Sequence, residues 1–338
     1  MLYPLKFHPV LRTMVWGGDR IAAYKGIETD QPSIGESWEI SAYPGMESVV
    51  AEGALAGRTL SSLVEEYRGK LVGEPVYARC GDEFPLLVKF IDARADLSIQ
   101  VHPDDAMARR VHGEQNGKTE MWYVMDSAPD AHLYSGITRP FTPEEYERLI
   151  AEDRIVDVLA DHPVKEGDVF FLPAGRIHAI CAGTFLAEIQ QTSDLTYRIY
   201  DYNRPGLDGK PRPLHTDKAK EAIDYKVYPS YKTVYEPVLD ARTPLVSCPY
   251  FTTDLYRLTR PLRIPLGALD SFFIVMCLEG TGTLEDGEPL FGEDGLPTAT
   301  RGHRTTLRPG ETVLIPATSR GIVLTPEGGN MKLLTTHC

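Results

Sequence analysis

The sequence predicts a mainly β protein made of two related β-barrels, with a small helical insertion and short additional helices. Three observations predict it. Short apolar runs bounded by turn residues read as buried strands: Met121-Trp122-Tyr123-Val124-Met125 in one place, Val169-Phe170-Phe171-Leu172 followed by Pro173 and Gly175 in another. An internal repeat lays residues 167–174 (GDVFFLPA) on residues 310–317 (GETVLIPA), each with a basic residue two positions before the glycine and long β-rich flanks. Finally, side chains suited to one metal ion stand on segments far apart in the sequence, and a barrel brings such strands together.

At 338 residues the chain can bury one large core or two moderate ones. The repeat divides it into residues 1–234 and 235–338. A content of 42% hydrophobic and 25% charged residues is that of an ordinary globular enzyme. The formal net charge of −13 argues against nucleic acid or an anionic membrane as partner. The segment MLYPLKFHPVLRT lacks the basic and apolar regions of a signal peptide, and no apolar run approaches the roughly 18 residues of a membrane span, so a cytoplasmic location is expected. The oligomeric state is not legible. Five scattered cysteines without a C-x-x-C pair read as free thiols, with Cys181 and Cys277 as small core residues.

In chain order, residues 60–67 form the first expected helix. Gln100 and His102, alternating with Val101, would point to one face of an extended strand. Residues 103–112 read as a short helix directly after it. Glu120 opens the next apolar strand, with Lys118 two residues earlier and therefore on the same face. Thr142-Pro143-Glu144-Glu145 carries a capping threonine, a proline at the first helical position and a glutamate three residues after the cap. A helix should run from there to about residue 151, with a further turn near Val156, as an insertion over the barrel. His178 closes the segment GDVFFLPAGRIH. The Pro- and Gly-rich stretch 200–216 is a long loop of the kind that often serves a site, and residues 217–223 complete the helices.

Gln100, His102, Glu120 and His178 offer an amide oxygen, two imidazoles and a carboxylate. That set suits Zn²⁺, Mn²⁺, Fe²⁺ or Co²⁺. Each residue alone says little. The pattern of a Q-x-H pair, a glutamate at a strand start and a histidine after a proline-glycine turn says more. In the repeat, Gly321 falls at the place of His178, and Ser271 is expected where Glu120 would be, so the second barrel should lack the ligands.

The segment 167–178 resembles the second motif of the cupin superfamily, whose small jelly-roll barrels hold a metal on inward side chains. The likeness extends to residues 16–18 (WGG), 34–41 (IGESWEIS), 85–90 (PLLVKF), 97–105 (LSIQVHPDD), 118–124 (KTEMWYV) and 190–204 (QQTSDLTYRIYDYNR). Together these resemble the type I mannose-6-phosphate isomerase family in its shorter bacterial form. The resemblance implies two cupin-like barrels, one Zn²⁺ per chain on Gln100, His102, Glu120 and His178, and a sugar-phosphate substrate isomerised through an enediolate. Arg198, in the stretch SDLTYR, takes the family's catalytic arginine position, and a planar, permanently charged guanidinium suits an enediolate. Lys118 is a second candidate for chemistry. Lys89 and Arg204, also in motif segments, are candidates for the phosphate, because an acidic protein must concentrate positive charge locally to take an anion. Alternatives to weigh are an unphosphorylated sugar, an O₂-using iron enzyme, or a sugar-binding cupin without turnover.

Overall fold

The computed structural model describes residues 2–287, 289–291, 297–300 and 302–338. It is mainly β and cupin-like, with strands in antiparallel sheets. A seven-stranded sheet runs in the order Lys232–Thr233, Val169–Leu172, Glu120–Ser127, Thr184–Gln191, Leu86–Asp92, Ile34–Ile40, Val10–Gly18. A five-stranded sheet runs Tyr197–Tyr200, Ile99–Val101, His178–Ile180, His132–Ile137, Leu159–Pro163. The third, nine-stranded sheet holds most of the strands after residue 240, including the long Phe273–Asp286 and Gly321–His337.

The strand period of two explains how these sheets stack. On Glu120–Ser127, Trp122 and Val124 face the five-stranded sheet and share a core with Ile91, Phe170, Leu172, Leu133 and Ile180. Met121 and Tyr123 face the opposite way. They join Leu86, Val88, Phe90 and Ile189 in a second core that continues into the helices of residues 60–80 and into Ile274, Met276, Leu314 and Leu334 of the nine-stranded sheet. The outer face of the five-stranded sheet is covered in turn. Ile99, Val101, Tyr197 and Ile199 pack under Tyr146, Leu149 and Ala219 of the helices Pro143–Ala151 and Thr216–Ala222. With both outward faces occupied, the polar side chains Gln100, Glu120 and His178 are left to face one another between the two sheets.

The expected helices form where their caps place them. Leu60–Tyr67 is capped by Thr59, whose side chain accepts from the Ser62 amide at 3.3 Å. Asp105–His112 is capped by Asp104, and Pro143–Ala151 by the Thr142 hydroxyl, 3.2 Å from the Glu145 amide. A 3₁₀ turn spans Ile155–Val158. Three helices, Arg20–Lys25, Gly69–Val72 and Glu74–Cys80, have no counterpart in the sequence expectations. The five cysteines are free, with Cys181 and Cys277 buried. Among the described residues no helix is long and apolar enough to cross a membrane.

Two details depart from expectation. Strand Leu5–His8 crosses the expected boundary at residue 234 and pairs with Thr312–Ile315 in the nine-stranded sheet, Leu5 opposite Leu314. The place of Glu120 in the repeat is Phe273, not Ser271. Glu120 lies opposite Leu172, and the equivalent Ile315 lies opposite Phe273, because the partner strands are offset by one residue pair from a plain alignment of the apolar runs.

Candidate metal centre and the cavity beside it

Backbone hydrogen bonds draw the three ligand-bearing segments together. The carbonyl of His102 accepts from the Gly175 amide at 2.9 Å, and that of Pro103 accepts from the Lys118 amide at 3.0 Å. Gly175 adopts φ +89°, and a Cβ there would lie 2.9 Å from the Ala222 carbonyl, so the turn that aims His178 inward depends on glycine. The donors of His102, Glu120 and His178 end within 4.8 Å of one another, all buried. Among the described residues no other group of three metal-ligating side chains comes together.

Hydrogen bonds fix both imidazoles. Nδ1 of His102 must donate to the Leu195 carbonyl at 2.8 Å, and Nδ1 of His178 to the Arg176 carbonyl at 2.9 Å. Both Nε2 atoms are then lone-pair acceptors in neutral rings. Burial and the Lys118 charge hold His102 well below the usual histidine range and push His178 down to about 3. The two Nε2 atoms face the two Glu120 oxygens, His102 at 3.5 Å from Oε2 and His178 at 3.4 Å from Oε1. Lone pairs facing a carboxylate repel, and Oε1 has no hydrogen-bond partner. A cation converts that repulsion into coordination, so the donors fit a divalent ion with nitrogen and oxygen ligands. One cation already sits there: the Lys118 ammonium lies 2.5 Å from Glu120 Oε2 and 3.0 Å from His102 Nε2.

Gln100 stands beside this group. His178 is paired with Gln100 across one strand boundary and Arg198 with Gln100 across the next, so the three side chains form one row on the five-stranded sheet. The Gln100 amide nitrogen approaches His178 Nε2 at 3.3 Å. A half-turn of that amide presents its oxygen at the same point, the orientation a cation would favour.

The row leads into a cavity of about 220 Å³. Gln100 and Lys118 close its inner end, with Lys89 and Glu188 on the seven-stranded side and Arg198, Arg212 and Arg12 further out. Lys89 is buried against Glu188 at 3.1 Å and lies 5.0 Å from the centre of the Trp38 ring. Burial alone would disfavour its charge, but Glu188 and Glu36 more than offset this and hold its pKa up. Glu188 also accepts from Trp122 Nε1 at 2.9 Å. Burial pushes Glu120 up, with Glu188 adding to it, while the two lysines outweigh burial at Glu188 and keep that carboxyl ionised. A larger cavity of about 320 Å³ lies against Tyr24, Tyr123 and Phe185, and none of the predicted residues lines it.

A family model described as the catalytic domain of type I phosphomannose isomerase matches residues 5–127. The mannose-6-phosphate isomerase ManA of Bacillus subtilis (strain 168) is 37% identical over 290 residues, covering 85% of this chain and 89% of its own length. The mannose-6-phosphate isomerase of Streptococcus mutans serotype c is 31% identical over 338 residues, 100% of this chain and 99% of that one. This chain belongs to the type I mannose-6-phosphate isomerase family. The crystal structure of the Bacillus subtilis enzyme superposes with a TM-score of 0.85 at 30% identity, each chain covered in full. A putative mannosephosphate isomerase from Archaeoglobus fulgidus, 22% identical with a TM-score of 0.74, shares the fold.

Against the sequence expectations for a type I mannose-6-phosphate isomerase, His102, Glu120, His178, Gln100, Lys118 and Arg198 are brought together. Arg204 is not at the cavity wall. Its guanidinium donates to Asp201 Oδ1 at 2.9 and 3.1 Å, as a surface turn returns the chain on itself. Lys89 lines the cavity, with its charge matched by Glu188. Sequence reading missed Glu188, Arg212 and Arg12. The first stands two residues before Gln190 in the strand Thr184–Gln191, so alternation alone puts it on the face that Gln190 presents to Glu120. Arg212 sits in the expected loop 200–216 with no periodic signal to mark it.

Proposed function

We propose that this enzyme interconverts D-mannose 6-phosphate and D-fructose 6-phosphate, with Zn²⁺ as its metal. The observation that carries the reading is the row His178, Gln100, Arg198, which joins a histidine of the cation centre to an arginine on the wall of one polar cavity. His102, Glu120 and His178 would hold the ion, with Gln100 beside them. When bound, the ion supplies a Lewis acid for the sugar oxygens at C1 and C2.

The chain's own groups account for the rest. Isomerisation takes a proton from C2 and returns it to C1 while a second proton passes between O2 and O1, so negative charge develops on the enediol oxygens. Arg198 is suited to that charge. Its Nη1 is fixed by the Pro213 carbonyl at 2.9 Å, and its buried Nε has no partner. A donor held in place before the charge appears need not reorganise when it does. Lys118, on the cavity floor, is the group we assign to moving a proton between the sugar oxygens. Glu188 holds Lys89 and Trp122 in place at the cavity wall. On this reading residues 1–234 carry the chemistry, and residues 235–338 form a cupin-like barrel without ligands that supports it. The free thiols fit a reducing compartment such as the cytoplasm.

A coupled assay for fructose 6-phosphate, run on stripped and zinc-restored protein, tests the proposal. Stripping should abolish activity and Zn²⁺ restore it, and turnover that survives thorough chelation would overturn the metal assignment. The same assay on free mannose should give a much lower kcat/KM.

A further inference from the structure

Two guanidinium groups, those of Arg204 and Arg212, bind one carboxylate just behind the cavity wall, and that of Arg198 lies near them. Asp201, 5% exposed, accepts from Arg212 Nε at 2.7 Å and Nη2 at 2.5 Å, and from both donors of Arg204. Arg198 stands beside this group, and the charges it faces are those of Arg212, Asp201 and Arg204. Three positive charges against one negative leave an excess of two. Such an excess, largely buried in a protein of formal net charge −13, is costly unless an anion completes it.

The backbone is bent to produce this arrangement. Tyr202 and Asn203 both adopt left-handed conformations, φ +55° and +52°, in the turn that puts Arg204 back onto Asp201. Asparagine enters this region readily, but a tyrosine rarely does, and strain of this kind collects at functional sites. The consequence is a division of labour. Arg204 keeps Asp201 hydrogen-bonded from outside, while Arg212, which lines the cavity, has room to give up a bond to the carboxylate when another anion arrives.

We infer that Arg212 is the phosphate-recognition residue of this enzyme: the substrate's 6-phosphate docks against its guanidinium at the cavity end remote from the cation centre. The inference rests on the sugar-phosphate reading above. An excess of two positive charges matches a phosphate monoester dianion, and a planar fork can hold two of its oxygens. Arg198 then lies between phosphate and metal, over the carbons that react.

The test compares Arg212→Gln and Arg212→Lys with the unaltered holoenzyme. On mannose 6-phosphate, Arg212→Gln should raise KM and lower kcat/KM by about 10- to 100-fold, the range for losing hydrogen bonds to a charged group. Any slow turnover of free mannose should fall by a much smaller factor, so the preference for the phosphorylated sugar shrinks. Inorganic phosphate should inhibit the unaltered enzyme competitively, and much less the Gln variant, with the Lys variant between them. An unchanged KM and unchanged phosphate inhibition in a folded, metal-loaded Arg212→Gln protein would overturn the inference. Should that variant fail to fold, the Lys variant decides: it must weaken phosphate inhibition, since lysine cannot reproduce the fork. If the unaltered enzyme does not turn over mannose 6-phosphate, the fault is in the proposed function; if it does and Arg212 is indifferent, the fault is in this assignment alone.

Discussion

Glu120 is the middle member of the candidate metal site, because each of its carboxylate oxygens is aimed at one histidine Nε2. Replacing it by Gln keeps the shape and removes the charge, and one of those lone pairs then meets an amide N–H. Glu120→Gln should therefore reduce the bound divalent metal to a small fraction of that in the unaltered protein, measured by elemental analysis after gel filtration. Gln100→Ala should keep most of the metal, because the two imidazoles and the carboxylate already make a three-ligand site; equal loss from both variants would show Gln100 to be an essential ligand. Arg198→Ala should lower kcat by about two to three orders of magnitude with metal content intact, in keeping with removal of a preorganised donor. At this scale much was legible. The spacing of Gln100 and His102 fixes a shared face, and Lys118 and Glu120 share another. What was not legible is pairing: that Arg204 is tied up with Asp201 and that Arg212 faces the cavity depend on how a loop folds back, which no period in the sequence encodes.

Between residue and molecule, the elements were read best where a cap or a turn has a chemical signature. Thr142-Pro143 starts a helix in the structure because the hydroxyl satisfies the Glu145 amide and proline has no amide to satisfy. That helix covers the outer face of the five-stranded sheet, remote from the cation centre. Thr142→Ala should accordingly cost about 1 kcal/mol of stability in chemical denaturation and leave kcat unchanged, and a fall in kcat would mean that the insertion couples to the site. The misreading of Ser271 for Phe273 shows the opposite case. A strand's faces follow from alternation, but its register against a neighbour follows from turn lengths and packing, and a shift of a residue pair preserves the faces while moving the position that counts.

The whole chain holds together across the expected boundary at residue 234, through contacts that its sequence does not announce. Lys25, on the short helix Arg20–Lys25, donates to both oxygens of Glu39 at 2.8 and 2.9 Å and also reaches the Gly310 carbonyl in the turn of the repeat's second copy. Tyr24 reaches the carbonyl of Leu278 at 2.9 Å, the amide of Phe272 donates to Val72, and Lys6 pairs with Glu311 at 2.9 Å. Lys25 and Glu39 are each about nineteen-twentieths buried. Removing one member of such a pair strands the other's charge in a low dielectric, an effect of about 3–5 kcal/mol, whereas replacing both by apolar groups can be nearly neutral. Lys25→Met should thus lower the melting temperature by several degrees or more, and Lys25→Met with Glu39→Leu should recover most of the loss. Metal content should be normal in every variant that folds, since neither residue touches the centre. If the single variant melts with the unaltered protein, the pair contributes nothing to joining the halves, and the cohesion must come from the shared apolar core between Met121, Val88 and Ile274, Leu314 instead. If the double variant is as unstable as the single one, the loss lies in the bonds that the double change does not restore, Lys25 to the Gly310 carbonyl and the Ser37 hydroxyl to Glu39 at 2.6 Å.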